Sequence, residues 1–356
     1  MLAVRRSAST VGVVLLATFA ITTPFIMMAG ANPFSAYAEF LVIPLTSRFS
    51  FLEVLVASIP LIFTGVAVAV AFRAGYWNIG AEGQLLMGAI AGAGVGMAAG
   101  DQPRALVLLT VILAGALAGA LWALAPALLR VKLGIDEVVT TLLLNPVALL
   151  VVNALLNGPW RDPETGFPES DRIAESAQFP ILISRSRLHL GFLVALVIAG
   201  TAWFVLTRTV AGLRVRAVGL SPNAARFAGI GVGRTLLTAA LVSGAIAGVA
   251  GASEVAGIQH RLTSGISPGF GYTGIVVATL GALAMPTVVL AALLIGDLTV
   301  GSGSAGLALG IPSQLGDIVQ ATVLLVTVGV LIYRKLRVQP PLADAPITDV
   351  VEVDTS

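Results

Sequence analysis

Cysteine is absent from the 356 residues, which excludes disulfides, thiolate nucleophiles and cysteine-bound metals. Histidine occurs only at His189 and His260, too far apart in sequence to suggest a zinc or di-iron ligand set. Lysine occurs only at Lys132 and Lys335. Neither lies in the Gly-x-x-x-x-Gly-Lys-Ser/Thr loop that cradles nucleotide phosphates, so the chain does not hydrolyse ATP by that route. Charge of either sign is scarce: 11% of residues are charged, where soluble domains carry roughly 25%. With 57% hydrophobic residues and a mean hydropathy of +0.98, most of the chain must face lipid or other apolar helices. The net charge of +2 matters less than where the basic residues sit.

What is present is a series of apolar runs separated by short polar breaks. The most informative stretch is 71–96, AFRAGYWNIGAEGQLLMGAIAGAGVG, in which Arg73, Asn78, Glu82 and Gln84 interrupt two apolar runs. A bilayer offers backbone amides no water, so a break is tolerated only at the membrane surface or buried in protein. Gly88, Gly92 and Gly96 then recur every four residues, a stripe that lets another helix approach closely. Gly115 and Gly119 form a second close-packing pair.

Spans are expected at 11–29, 52–72, after the break to 99, and at 105–128, 138–156, 190–206, 235–255 and 318–333. The first follows Arg5 and Arg6 and exceeds the ~7–15-residue core of a signal peptide, so it reads as a retained span although Ala36-Tyr37-Ala38 imitates a cleavage site. As one helix, residues 272–301 would extend roughly 45 Å, beyond the ~30 Å hydrocarbon core. Met285 and Pro286 are therefore expected to mark a turn between two short spans. This gives an all-α, polytopic membrane protein of about ten transmembrane helices, or eight to nine if the Pro286 region is re-entrant. The polar stretch 157–189, with four prolines, does not cross. Residues 208–234 hold Arg208, Arg214, Arg216, Arg226 and Arg234 with no acidic residue. The positive-inside rule places that loop, Arg73, the Arg130/Lys132 turn and both termini on the cytoplasmic side.

Within the basic loop, RAVGLSPNAARFAGIGVGR reads as a short helix with Ser221 as N-cap, Pro222 in the first position and Gly229 at the C-terminal end. So short a helix is marginal in water alone, which suits either an element stabilised by a partner or an ordinary surface turn. RAVGLSPNAARFAGI resembles the coupling loop of permease subunits of ATP-binding-cassette importers. AFRAGYWNIGAEGQLLMGA resembles the nucleoside and simple-sugar branch of the branched-chain amino acid/ribose permease family, with NIGAEGQ looking like the longer subunit of a nucleoside permease pair. GIDEVVTTLLLNP, GPWRDPETGFPES and SPGFGYTGIVVATLGA follow in the order expected there, and the resemblance covers roughly 50–335. The chain departs from that pattern at Pro146, where a tyrosine is usual, and at Ala284-Met285, where a charged turn is usual.

The resemblance implies a division into 1–50, an N-terminal span and external loop; 51–335, the permease transmembrane domain; and 336–356, a disordered cytoplasmic tail. It also implies a plasma-membrane importer with separate ATPase subunits, a second permease that is a shorter paralogue, and an extracytoplasmic substrate-binding protein. Besides those partners the chain meets membrane lipid and no nucleic acid. It binds no cofactor of its own, ATP being hydrolysed on the partner subunits. Arg216, Gly219, Ser221, Pro222, Ala224, Ala225, Arg226 and Gly229 lie on or beside the coupling helix in this scheme.

Pathway or gate candidates are the polar residues inside apolar runs: Asn78, Glu82, Gln84, Asn145, Asn153, Glu254 and Asp297. Asn78 and Glu82 are either a hinge near the cytoplasmic face or helix caps. A carboxylate at bilayer centre costs roughly 2.5–3.5 kcal/mol, so Asp297 is expected to face a partner or cavity. Glu254, near a span end, either lines the pathway or reaches water. Asn145 and Asn153, two turns apart, either hold a polar substrate or bridge helices, and the bridge is favoured. Trp160 reads as an interfacial anchor. Ribose, other simple sugars and branched-chain amino acids are alternative cargoes. An ion-driven secondary transporter would leave the coupling loop unexplained. An intramembrane hydrolase built on Gly251-Ala252-Ser253 has Glu254 where glycine is needed, and only His189 or His260 as base.

Overall fold

The computed structural model describes residues 2–162, 166–312 and 314–338. The proposed tail therefore lies mostly outside the described residues. The helices are α1 (Leu2–Met28), α2 (Pro33–Leu41), α3 (Ile43–Thr46), α4 (Arg48–Arg73), α5 (Ala81–Ala98), α6 (Arg104–Leu128) and α7 (Glu137–Leu156). They continue with α8 (Gly191–Arg208), α9 (Val210–Leu220), α10 (Pro222–Phe227), α11 (Val232–Glu254), α12 (Phe270–Leu280), α13 (Met285–Leu309) and α14 (Gln314–Val338). Among the described residues there is no strand, only the isolated bridges Glu169 to Thr263 and Ile181 to His189.

Helix α4 is the central post. Its most apolar window is 89% buried, and α8, α11, α12 and α13 pack around it. Pro60 lies inside this helix and has no N–H to donate, while the Thr64 hydroxyl donates back to the Pro60 carbonyl at 2.8 Å. By contrast, the corresponding windows of α6, α7 and α8 are 28%, 22% and 22% buried, so these helices present their outer faces away from the chain's own core.

Beside the post, α5, α6 and α11 form a seam of small residues. A methyl group on Gly248 of α11 would come within 2.0 Å of the Gly115 carbonyl of α6, and one on Gly88 of α5 within 2.0 Å of the Gly248 carbonyl. Gly92 and Gly115 rest on Ala252, and Gly119 rests on Gly244. Both glycine motifs of the sequence thus converge on one partner, α11. Gly96 instead meets Ile173 and Ala177 of the polar stretch between α7 and α8.

Among the described residues six helices are long and apolar enough to cross a membrane, and a seventh candidate is the pair Gly12–Met28 with Pro33–Leu41, bent by 118°. The expected loop after the first span is therefore helical: the Asn32 side chain accepts the Phe34 amide at 2.9 Å and Pro33 starts α2 without needing a donor. The turn near Pro286 is present at 281–284, with Ala282 and Leu283 at positive φ. The two short spans expected around it are replaced by unequal pieces. Helix α12 has 11 residues, about 16 Å at 1.5 Å per residue, and does not cross alone. Helix α13 has 25 and runs on to Leu309.

The polar stretch before α8 folds as a cap over one end of the bundle, stitched to the segment after α11. Ser170, Ile173 and Phe179 donate their amides to Leu262, His260 and Ala256 at 3.0, 3.0 and 2.8 Å. Arg261 pairs with Glu169 in the same cap.

The seam generates a contrast testable by thermal unfolding in detergent. Gly248→Val should lose about 3 kcal/mol or more through overpacking against backbone that has no room to move. Gly200→Ala, with no atom within 4 Å of its Cβ position, should be neutral or gain about 0.5–1 kcal/mol. Equal midpoints for the two variants would overturn the seam.

Candidate functional site

The break between α4 and α5 is only partly at the surface, where Trp77 is 52% exposed. After Ala74 the chain turns through Gly75 at φ +77° and re-enters the bundle, where Tyr76 and Asn78 are fully buried. Irregular backbone at this depth must find protein partners. They come from one stripe of α7. Glu137, Thr141 and Asn145, spaced four residues apart, accept the amides of Trp77, Ile79 and Gly83 at 3.2, 3.2 and 2.9 Å. Asn145 also donates to the Ile79 carbonyl at 3.0 Å and to the Tyr272 hydroxyl at 3.1 Å. Arg130 holds Glu137 in place at 3.0 Å.

Asn78 and Gln84 form a reciprocal amide pair at 2.9 and 3.1 Å, and Asn78 donates onward to Ser243 of α11 at 2.9 Å. Glu82 accepts the Gly271 amide at 2.7 Å, so the first turn of α5 caps the start of α12 inside the bundle. These residues join α5, α7, α11 and α12 through their hydrogen bonds. The expected bridging role thus falls to Asn145, while Asn153 lies half-buried beside the stripe and shares none of its contacts. Asp297 is buried in mid-α13, and its Oδ1 has no hydrogen-bond partner among the described residues. Trp160 lays its indole across Gly94 of α5.

At the capped end, a cavity of about 370 Å³ opens among α4, α11, α13 and the cap. That volume is in the range of small-molecule sites. Glu53, Arg187, Glu254, Gln259, Phe270 and Thr299 line it. Arg187 pairs with Glu53. Glu254 is 5% exposed, lines the same cavity, and makes no hydrogen bond or ion pair from its carboxylate among the described residues. Glu53 and Arg187 were not singled out from sequence: one sits in the first turns of a span and the other in a loop, and only folding brings them together.

At the opposite end, Ser221 accepts the Ala224 amide at 3.3 Å to start α10, and Gly229 takes φ +76° after its last turn. Phe227 and Leu220 are 97% and 88% exposed, while Ala225 is 3% exposed. Ala225 therefore packs inward, and the outward face is carried by Ala224, Arg226 and Phe227. Arg216 donates to the Leu206 carbonyl, tying α9 to α8. A methyl on Gly219 would come within 2.1 Å of the Arg73 carbonyl, so α9 touches the end of α4 backbone to backbone.

His189 is fully buried, with Nδ1 accepting the Gly191 amide at 3.1 Å. The ring proton is thereby placed on Nε2, which finds no acceptor among the described residues. Ser253 lies across Gly191 from this ring, yet its hydroxyl is also unpartnered. The one basic nitrogen is already occupied, so the pair is not an activated nucleophile. Among the described residues no group of three or more His, Asp or Glu is arranged to hold a metal.

Residues 50–328 match the family model described as branched-chain amino acid transport system / permease component. The chain is 37% identical to the glucose ABC transporter permease protein TsgB13 of Haloferax volcanii, over 91% of this chain and 87% of that protein. It is 39% identical to the guanosine ABC transporter permease protein NupP of Bacillus subtilis, over 75% and 77%. It is 32% identical to the nucleoside ABC transporter permease protein NupB of Lactococcus lactis, over 84% and 85%. No solved structure matches the chain.

The cap should be pH-sensitive. Burial, with the charge of His260 added, pushes the His189 imidazole from 6.5 down to about 4. The unfolded cap binds the extra proton first, so stability is full above about pH 6.5 and is lost as pH falls toward 4, by about 3 kcal/mol in all. Hydrogen-exchange protection factors of residues 169–190, taken relative to the intrinsic rate at each pH, should fall across that window in the wild type and much less in His189→Phe.

Proposed function

The chain belongs to the permease-component family of branched-chain amino acid transport systems, and on that premise we propose that its cargo is a nucleoside and its energy comes from ATP hydrolysed on partner subunits. It is a multi-pass membrane transport component and not an enzyme. Similarity to two permeases named for nucleosides and guanosine supports the cargo, and the chemistry of the cavity fits it. Glu254 offers an unpaired acceptor for ribose hydroxyls or base N–H groups, Gln259 offers both donor and acceptor, and Phe270 offers an apolar face. A simple sugar is the second reading, favoured by the relative named for glucose, and would use the same carboxylate.

The proposed topology has ten crossings of the plasma membrane with both termini cytoplasmic. In it residues 260–280 descend as one half-unwound crossing, because α12 begins beside Glu82 and Thr64 within the bundle. The arginine-rich end, with α9 and α10, then faces the ATPase, and the capped end faces an extracytoplasmic binding protein. Ser221, Pro222, Ala224, Arg226 and Gly229 form or bound the docking helix, with Arg216, Gly219 and inward-facing Ala225 fixing its seat. A second permease, a shorter paralogue, completes the pathway against outer faces of this chain other than that of α8.

Coupling follows from α4. Its last residue touches Gly219 beside the docking helix, and Glu53 near its first turn lines the cavity. Twenty-six helical residues make a rod of about 39 Å. Movement of α10 on ATPase closure is thus delivered as a rigid shift to the opposite end, where the Glu53–Arg187 pair and Glu254 change their separation.

Three measurements on cells with the complete transporter test this. Labelled guanosine and adenosine uptake should require this gene, fail on ATP depletion and resist excess unlabelled ribose and glucose. Glu254→Gln should raise KM about threefold to tenfold, the worth of one hydrogen bond. Phe227→Asp should abolish uptake at normal membrane abundance by removing the apolar contact with the ATPase. Uptake inhibited by glucose and indifferent to nucleosides would move the cargo to the second reading. Full uptake in Phe227→Asp would remove the docking surface.

A further inference from the structure

A second cavity, of about 480 Å³, lies between α8, α9 and α11 near the arginine-rich end. Its walls include Ile198, Val205, Val242 and Ile246, and Arg214 and Arg234 share its rim. Val205 and Val242 are 36% and 42% exposed, so the groove opens sideways, where the outer face of α8 has no covering element. Neither arginine makes an ion pair or side-chain hydrogen bond among the described residues, and the whole 208–234 segment has no acidic residue. The nearby hydroxyls do not compensate: Thr235 and Thr238 donate to the Gly231 and Arg234 carbonyls at 3.0 and 2.8 Å.

We propose that this groove binds an anionic phospholipid of the cytoplasmic leaflet, with an acyl chain along α8 and α11 and its phosphate held between Arg214 and Arg234. The side of the bilayer follows from the arginine-rich face, and the site is independent of what the transporter carries. An apolar helix laid in the groove would desolvate two guanidiniums without pairing them. A neutral lipid would fill the groove and leave the charges unmet. An anionic lipid satisfies both features, since basic pockets between helices on the cytoplasmic side attract phosphate headgroups. The groove borders α9, which leads directly into the docking helix. The lipid therefore wedges α9 against α8 and α11 and steadies the element through which α4 is moved.

The test uses the complete transporter, with its partner subunits, in nanodiscs of equal phosphatidylcholine and phosphatidylglycerol. After exhaustive detergent exchange, the retained lipid is counted by mass spectrometry. Wild type should retain phosphatidylglycerol selectively. Arg214→Gln with Arg234→Gln should retain about 20-fold less, from two lost cation–phosphate contacts. Ala202→Phe, which narrows the groove and leaves both arginines, should lose it too. A measurement needing no variant is thermal stability in phosphatidylcholine, which should rise on adding phosphatidylglycerol and not on adding glycerol phosphate. Equal retention in all variants, no preference in wild type, stabilisation by glycerol phosphate alone, or efficient cross-linking of Thr201→Cys to a partner subunit would each overturn the site.

Discussion

The fold depends on pairing backbone amides that leave the helical pattern inside an apolar bundle. Residues 74–80 break the chain between α4 and α5, and Tyr76, Asn78 and Gly80 within the break are buried. Each exposed amide costs several kcal/mol in such surroundings unless a protein group takes it. The Glu137–Thr141–Asn145 stripe of α7 supplies three acceptors, the Asn78–Gln84 pair closes the segment on itself, and Glu82 takes the Gly271 amide in the first turn of α12. The polar residues that look like intrusions in apolar spans are mostly the price of that break. Their packing fixes α7, α11 and α12 relative to α5.

Small residues do the complementary work. With no hydrophobic driving force between helices in lipid, close approach must be gained from shape. Gly88, Gly115, Gly119, Gly244 and Gly248 bring α5, α6 and α11 to backbone contact. The outcome is a stiff unit set against α4, whose two ends meet the chain's two outward-looking surfaces. The post therefore joins, through continuous helix, the end that bears the 6-residue helix α10 and the end that bears the cavity.

The small-residue stripes, the Ser221–Gly229 helix and the non-crossing polar stretch were legible in the sequence, because each rests on local spacing or capping chemistry. The side chain on α10 that faces outward was not: Ala225 and Phe227 lie in one short helix, and only contact with the rest of the chain buries the first. Asn78 and Glu82 look like surface hinge residues on a linear map, since a break at the membrane face and a break inside the protein have the same sequence. Glu53 and Arg187 are 134 positions apart in the chain before meeting at one cavity. Arg187 is one of several arginines in a polar loop, and nothing in its neighbours marks it as the one with that partner.

By itself the sequence determined that this is a helical membrane chain, which family it belongs to, and which end gathers arginine. Apolar length and charge placement are properties of consecutive residues, and a bilayer reads them one span at a time. Only the tertiary structure decided that α4 is the buried post, that the break is internal, that α12 is too short to cross alone, and that Glu254 faces a cavity while Asp297 does not line it. Those outcomes depend on which helices lie side by side, and that is settled by interlocking surfaces rather than by the composition of any one helix.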